Sequence, residues 1–389
     1  MDLKQLISKN ANKIQPDVIS SFNSQVAGIK DLIPLTLGEP DFNTPEHIKE
    51  AAVQAIRRNE SHYTDPQGIP ELREAATSYV HDKYGLDYDP KTEVLATAGV
   101  SEALLCTFLA IIDPGDEVII PTPGFPVYEG SVTVPGGKPV FIDTSDNGFK
   151  LDPNKLKQVL DEHGDSVKAL VLNYPSNPTG VTYNEAELRA LADVIKDYDV
   201  LVISDEIYSE LTYDHNHFSF ARLLPDQTIT YNGLSKSHAM TGWRVGLVFA
   251  KPAILSEIFK MHMFASFSIT TNAQYAAVEA LNNGRNDAQP MKKVYEERRD
   301  LVASGLKAVG LDSPKPEGAF YIFASLPESY KNDSMKFCID LANEAHVGVV
   351  PGVGFGPGGE NSFRISYAAS TESLKEAVKR IQEFVKNHE

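Results

Sequence analysis

The stretch Gly233-Leu234-Ser235-Lys236-Ser237-His238-Ala239-Met240-Thr241-Gly242-Trp243-Arg244-Val245-Gly246 sets a lysine and an arginine eight residues apart, just after an apolar run that ends near Tyr231. A lysine taken alone is most often a solvated surface group. Lys236 has a different setting, because an apolar run and a glycine precede it and Arg244 follows closely. An amine held near a cation and partly stripped of water gives up its proton more readily. Condensation with a carbonyl needs that free amine.

Two segments upstream also place polar groups after apolar runs. Asn173-Tyr174-Pro175-Ser176-Asn177-Pro178-Thr179-Gly180 follows one, and Ser204-Asp205-Glu206-Ile207-Tyr208 follows the next. Ligands of open α/β sheets sit at the carboxyl ends of strands, so an amide, a carboxylate, a phenol and an amine are expected at one sheet edge. For Asp205 a helix N-cap is the competing reading. Thr97-Ala98-Gly99-Val100-Ser101-Glu102 leads from an apolar run into an expected helix. The free N–H groups and dipole of such a helix start attract phosphate, and Arg244 is a fitting two-pronged partner for the same anion. A plain capped turn is the alternative there.

Strands are expected at 93–97, 118–120, 138–143, 167–173 and 200–204, with helices at 101–112, 151–163 and 185–198. This alternation predicts an α/β fold with a mostly parallel sheet between helices. Buried parallel strands read as continuous apolar runs, as Ala169-Leu170-Val171-Leu172 and Val200-Leu201-Val202-Ile203 do. After residue 250 the rhythm changes. Helical patterns cover 252–283 and 287–310, and a strand is expected at 318–323. A helix, a Gly/Pro-rich loop at 351–359, a strand at 363–367 and a last helix from 371 follow. The expected division is a large domain over 41–283 and a smaller α+β domain made of 1–40 and 284–389.

The net charge is −17. DNA and anionic membrane surfaces are both bound through clustered bases, so neither partner is expected. Cys106 and Cys338 are too few for a disulfide framework or a CxxC metal site, and no HExxH or EF-hand loop occurs. No metal site is therefore expected. The absence of a visible secretory signal or of a roughly 18-residue apolar span leads to a cytoplasmic expectation. Gly354-Phe355-Gly356-Pro357-Gly358-Gly359 fits GxGxxG, but a dinucleotide site needs a helix straight afterwards, and the strand-like run at 363–367 comes instead.

The run from Gly233 to Gly246, Asn177-Pro178-Thr179-Gly180 and Ser204-Asp205-Glu206-Ile207-Tyr208, with Leu37-Gly38-Glu39-Pro40-Asp41-Phe42 and Phe363-Arg364-Ile365-Ser366-Tyr367 near the ends, resemble the class I/II aminotransferases. These are enzymes of fold type I that use pyridoxal 5′-phosphate (PLP). The five motifs occur in the family's order along essentially the whole chain. The sequence looks closest to bacterial aromatic-amino-acid and N-acetyl-diaminopimelate aminotransferases.

The resemblance implies a role at each matching position. Lys236 would hold the cofactor covalently and move the reacting proton. Asp205 would pair with the ring nitrogen, and Tyr208 and Asn177 would bind the phenolic oxygen. Phe125 would stack on the ring, unless it is only a core or loop aromatic. Val100, Ser101 and Arg244 would hold the phosphate. Arg364 would grip the substrate carboxylate, with Gly38 and Asn177 beside it. Tyr63 would reach the phosphate of a neighbouring subunit, implying a homodimer with shared active sites; a surface-loop tyrosine is the alternative.

The implied reaction is ping-pong transfer from an amino acid, aromatic by the same resemblance, to a 2-oxo acid such as 2-oxoglutarate. Two rivals share the fold: an N-acetyl-LL-diaminopimelate aminotransferase and a carbon–sulfur β-lyase. The chain departs from many relatives in one respect: Gly233 stands where they carry a phosphate-binding serine, and Ser235 or Ser237 would have to compensate.

Overall fold

Strands without polar alternation must be covered on both faces. In the computed structural model, which describes residues 3–14 and 18–388, such runs build a seven-stranded sheet. Its strands are β1 (Val94–Thr97), β2 (Glu117–Thr122), β3 (Lys138–Asp143), β4 (Val167–Asn173), β5 (Leu201–Asp205), β6 (Thr228–Gly233) and β7 (Gly246–Phe249). Their spatial order is β1-β7-β6-β5-β4-β2-β3. Only β7 runs antiparallel to its neighbours. The carboxyl ends of the other six and the amino end of β7 therefore share one edge. Register sets Asn173 beside Asp205, Asp205 beside Tyr231, and Gly233 beside Gly246.

Helices cover the sheet. Val100–Ile111 packs against Pro252–Ala265, and Pro70–Tyr84 against Thr271–Asn283. Glu185–Ile195 starts at a capping box, in which Asn184 and Glu187 satisfy each other's backbone N–H groups. A second sheet contains β8 (Tyr321–Ser325), β9 (Val350–Pro351) and β10 (Ser362–Ser366), antiparallel in the order β9-β10-β8. Phe22, Val26 and Leu35 join one apolar cluster with residues between Met291 and Val385, against which Tyr208, Leu211 and Tyr213 also pack. No helix among the described residues is long and apolar enough to cross a membrane.

Three expectations need correction. The helical pattern over 252–283 is two helices, Pro252–Ala265 and Thr271–Asn283, broken where Phe267 takes a left-handed φ of 66°. Apolar periodicity carries no sign of that turn. The strand expected at 318–323 starts only at Tyr321, because Gly318 bridges to Thr212 and Ala319 N–H bonds to Leu211 O. Four-residue β7 was not expected at all; it is too short to show a period. After the GxGxxG run no helix forms: the short turn Gly352–Phe355 is followed by β10.

His47, in the helix Glu46–Arg57, bridges Glu279 and Asp287 at 2.8 Å each and so ties two later segments together. Burial opposes its protonation, but hydrogen bonds to Asp287 and Glu279 win and raise its pKa above 6.5. A raised folded-state pKa stabilises fully below the unfolded value and loses its effect as pH climbs through the folded value. The Tm advantage of wild type over His47→Gln should be present at about pH 6 and fade by about pH 8.5. An equal difference at both pH values in thermal melts would contradict this.

Candidate active site

A cavity of about 760 Å³ opens at the shared strand edge. Lys236 reaches it from the helix Leu234–Ser237, which follows β6 directly. Its Nζ donates to Gly38 O at 2.5 Å and lies 5.6 and 5.7 Å from the ring centres of Tyr208 and Phe320. Burial pushes the amine down to about 8; Glu39 opposes the fall, while Arg364 and then Arg244 add to it. The neighbouring cation anticipated from the sequence does act, but burial outweighs it.

Asp205 ends β5 and is almost fully buried. Burial raises its carboxyl to about 6, against hydrogen bonds from Tyr128 Oη at 2.7 Å and Ile207 N–H at 3.2 Å. It is not a helix cap, since only the short turn Ser209–Leu211 follows. Asn173, opposite it in β4, accepts the Asn177 N–H at 2.9 Å and so fixes that loop. Tyr208 Oη pairs with Tyr321 Oη at 2.8 Å.

Arg364 stands in the middle of β10. Its Nη1 donates to Asn177 Oδ1 at 2.8 Å and its Nη2 to Thr36 O at 2.5 Å. The guanidinium lies over the rings of Tyr321 (4.5 Å) and Phe355 (5.0 Å). Its buried Nε has no partner among the described residues. A buried donor left unpaired is a natural contact for an anionic ligand.

The helix Val100–Ile111 begins at the cavity wall, and Gly99 before it carries no capping side chain. The first N–H groups, at Val100 and Ser101, are therefore not satisfied within the helix. Arg244 comes from just before β7, and its Nη1 donates to Thr241 O at 3.0 Å. Its guanidinium occupies the space that any side chain on Gly99 would fill. Phe125 lines the cavity and meets Tyr128 edge-on, with ring centres 5.9 Å apart.

Tyr63 is the one anticipated residue outside the cavity of its own chain: it is 85% exposed and leans on the Phe267 ring at 5.0 Å. A side chain at Gly233 would approach Val245 O to 2.9 Å, so a serine does not fit there without a shift. Ser235 lines the cavity, whereas the Ser237 hydroxyl is engaged with His238 Nδ1 at 2.8 Å.

The sequence reading missed Tyr128, Tyr321, Glu39 and the helix Val18–Val26, which contributes Val18, Ile19 and Asn23 to the wall. Tyr128 stands in the first turn of the helix Val127–Thr133, just after Phe125 and the Pro126 cap. Glu39 is the neighbour of Gly38 within a quoted motif, whereas Tyr321 and the helix Val18–Val26 reach the cavity from far along the chain and leave no local signal.

This donor set fits a planar ring that carries a carbonyl and a phosphate. The helix start and Arg244 suit the phosphate, and the bare Gly99 gives the guanidinium room. Asp205 suits a protonated ring nitrogen, Phe125 the ring face, and Lys236 the carbonyl.

Residues 30–381 match the sequence model described as aminotransferase class I and II. A probable N-acetyl-LL-diaminopimelate aminotransferase of Bacillus subtilis is 44% identical over 98% of this chain and 96% of its own length. An aspartate aminotransferase of Pyrococcus abyssi is 40% identical, covering 98% of each chain. The crystal structure of an aromatic aminotransferase from Pyrococcus horikoshii superposes with a TM-score of 0.89 at 40% identity, over 95% of this chain and 99% of that one. The fold, the cavity and these likenesses agree: the chain belongs to the class I and II aminotransferases, enzymes that work with pyridoxal 5′-phosphate.

Proposed function

We propose that this aminotransferase takes the amino group of an amino acid with an apolar side chain, aromatic above all, and passes it to a 2-oxo acid such as 2-oxoglutarate. The supporting observation is a count of charges. The only cations among the described residues of the cavity wall are Lys236, Arg244 and Arg364, facing the carboxylates Glu39, Glu129 and Asp205. In the roles proposed here all three cations are engaged, so this chain spares none for an acidic side chain, and the second carboxylate of 2-oxoglutarate is held by polar groups and water. The outer wall offers Val18, Ile19, Leu37, Phe125 and Val353 instead.

PLP, when bound, supplies an aldehyde for the amino group and an electron-accepting ring. In this reading Lys236 holds the cofactor and moves the proton at the substrate α-carbon. Asp205 keeps the ring nitrogen protonated, and Tyr208 and Asn177 face the phenolic oxygen. Val100, Ser101 and Arg244 hold the phosphate while Phe125 lies on the ring. Arg364, with Gly38 and Asn177 beside it, orients the substrate carboxylate.

We propose further that the enzyme is a homodimer in which Tyr63 serves the neighbouring site. Its exposure supports this, as does Phe264 nearby in sequence to Phe267, 91% exposed. The division into 41–283 and 1–40 with 284–389 is proposed on the shared apolar cluster of the two chain ends. N-acetyl-LL-diaminopimelate is the second reading for the donor, favoured by the 44% identity to the Bacillus subtilis protein.

Four outcomes follow. In protein stripped of cofactor, covalent capture of PLP should rise with pH through about 8, where Lys236 becomes a free base; cofactor still fixed by borohydride to Lys236→Ala sinks the assignment. Asp205→Ala should lose more than about tenfold in kcat, about 1.4 kcal/mol. Tyr128→Phe removes a donor that favours the carboxylate, so the acid limb of its pH–rate profile should move to higher pH; an unmoved limb contradicts that. Phenylalanine or tyrosine should exceed aspartate in kcat/KM. A donor screen in which aspartate, or an N-acylated diamino acid, is about tenfold better overturns the aromatic reading.

A further inference from the structure

Tyr321 enters the site from β8, in the second sheet, and is 1% exposed. Two contacts distinguish it. Its hydroxyl pairs with that of Tyr208 at 2.8 Å. Its ring lies under the Arg364 guanidinium at 4.5 Å. Gly38 closes the third side, since a side chain there would overlap the Tyr321 hydroxyl. One phenol thus touches the group facing the cofactor's phenolic oxygen, the cation facing the substrate carboxylate, and the backbone that accepts from Lys236.

We propose that Tyr321 is a positioning residue that links the two halves of the site: its hydroxyl donates to Tyr208 and so orients the Tyr208 proton toward the cofactor, while its ring sets the plane of Arg364. The proposal rests on the roles given above to Tyr208 and Arg364. A phenol has one proton. If Tyr208 spends its own on the cofactor, only Tyr321 is left to donate between them. Chains of such bonds strengthen one another. Burial raises the pKa of both phenols, and the Arg364 guanidinium opposes the rise in both. A guanidinium stacked on an aromatic face keeps its in-plane N–H groups for a carboxylate.

The test uses PLP-loaded enzyme and two variants, with circular dichroism and melting curves to confirm folding. Tyr321→Phe keeps the ring and removes the hydroxyl. The pH midpoint of the bound cofactor's visible absorbance should rise, while KM for amino acids changes less than twofold. Tyr208→Phe should raise the same midpoint, and the double variant should add little beyond Tyr208→Phe alone. Tyr321→Leu removes the ring and should raise KM about tenfold for every donor alike. If Tyr208→Phe moves the midpoint but Tyr321→Phe does not, or if the two effects add fully, the link is wrong and the role of Tyr208 stands. If Tyr208→Phe itself leaves the midpoint unmoved, the underlying reading of the site fails. A KM rise confined to aromatic donors would make Tyr321 a side-chain contact and overturn the positioning role.

Discussion

Lys236, Asp205 and Arg364 are charged side chains held largely out of water around one cavity. Singly, each burial would be strongly unfavourable. Together the groups moderate one another. Asp205 and Glu39 favour the Lys236 cation while Arg364 and Arg244 disfavour it, and burial tips the balance toward the free base. The same desolvation moves the Asp205 carboxyl upward, though Tyr128 and the Ile207 N–H hold it back. Both groups are thereby drawn toward neutral pH, where proton transfer is easiest to drive in either direction. Poising of this kind marks functional sites more often than structural ion pairs.

Sheet topology makes the clustering feasible. Six strands deliver their carboxyl ends to one edge, and β7, running the other way, delivers its amino end to the same place. Arg244 can therefore precede a strand and still stand beside the start of the helix Val100–Ile111, which follows one. The second sheet supplies what the first lacks: Arg364 from β10 and Tyr321 from β8, adjacent strands whose side chains stack. In the proposed reading, the groups that face the cofactor and the one that grips the substrate carboxylate would thus come from two different sheets. Their alignment depends on a few contacts, among them Arg364 with Asn177 and Tyr321 with Tyr208.

The apolar wall beyond Phe125 has a different origin. Val18, Ile19 and Asn23 come from a short helix close to the N-terminus, whose Phe22 and Val26 are buried in the second-sheet cluster. Phe22 and Val26 anchor that helix, and Val18, Ile19 and Asn23, flanking them on the same side, meet the cavity.

The sequence by itself determined the chemistry and the class of fold. Lys236, Asp205, Asn177, Tyr208 and Arg244 stand beside strand ends, and strand ends declare themselves through continuous apolar runs and the polar residues that stop them. Parallel order followed from alternating strands and helices, a local pattern. Tertiary structure alone decided the rest. β7 and its direction are not visible in a four-residue run, because direction is set by how the connecting residues 234–245 bring the chain back to the sheet. Tyr128 took hold of Asp205, and Tyr321 of Tyr208, across 77 and 113 residues of chain. Such partnerships are fixed by packing in three dimensions and not by spacing along the chain. Tyr63 shows the same division: its position was legible, but its own chain leaves it exposed, and its contacts depend on what packs against that surface.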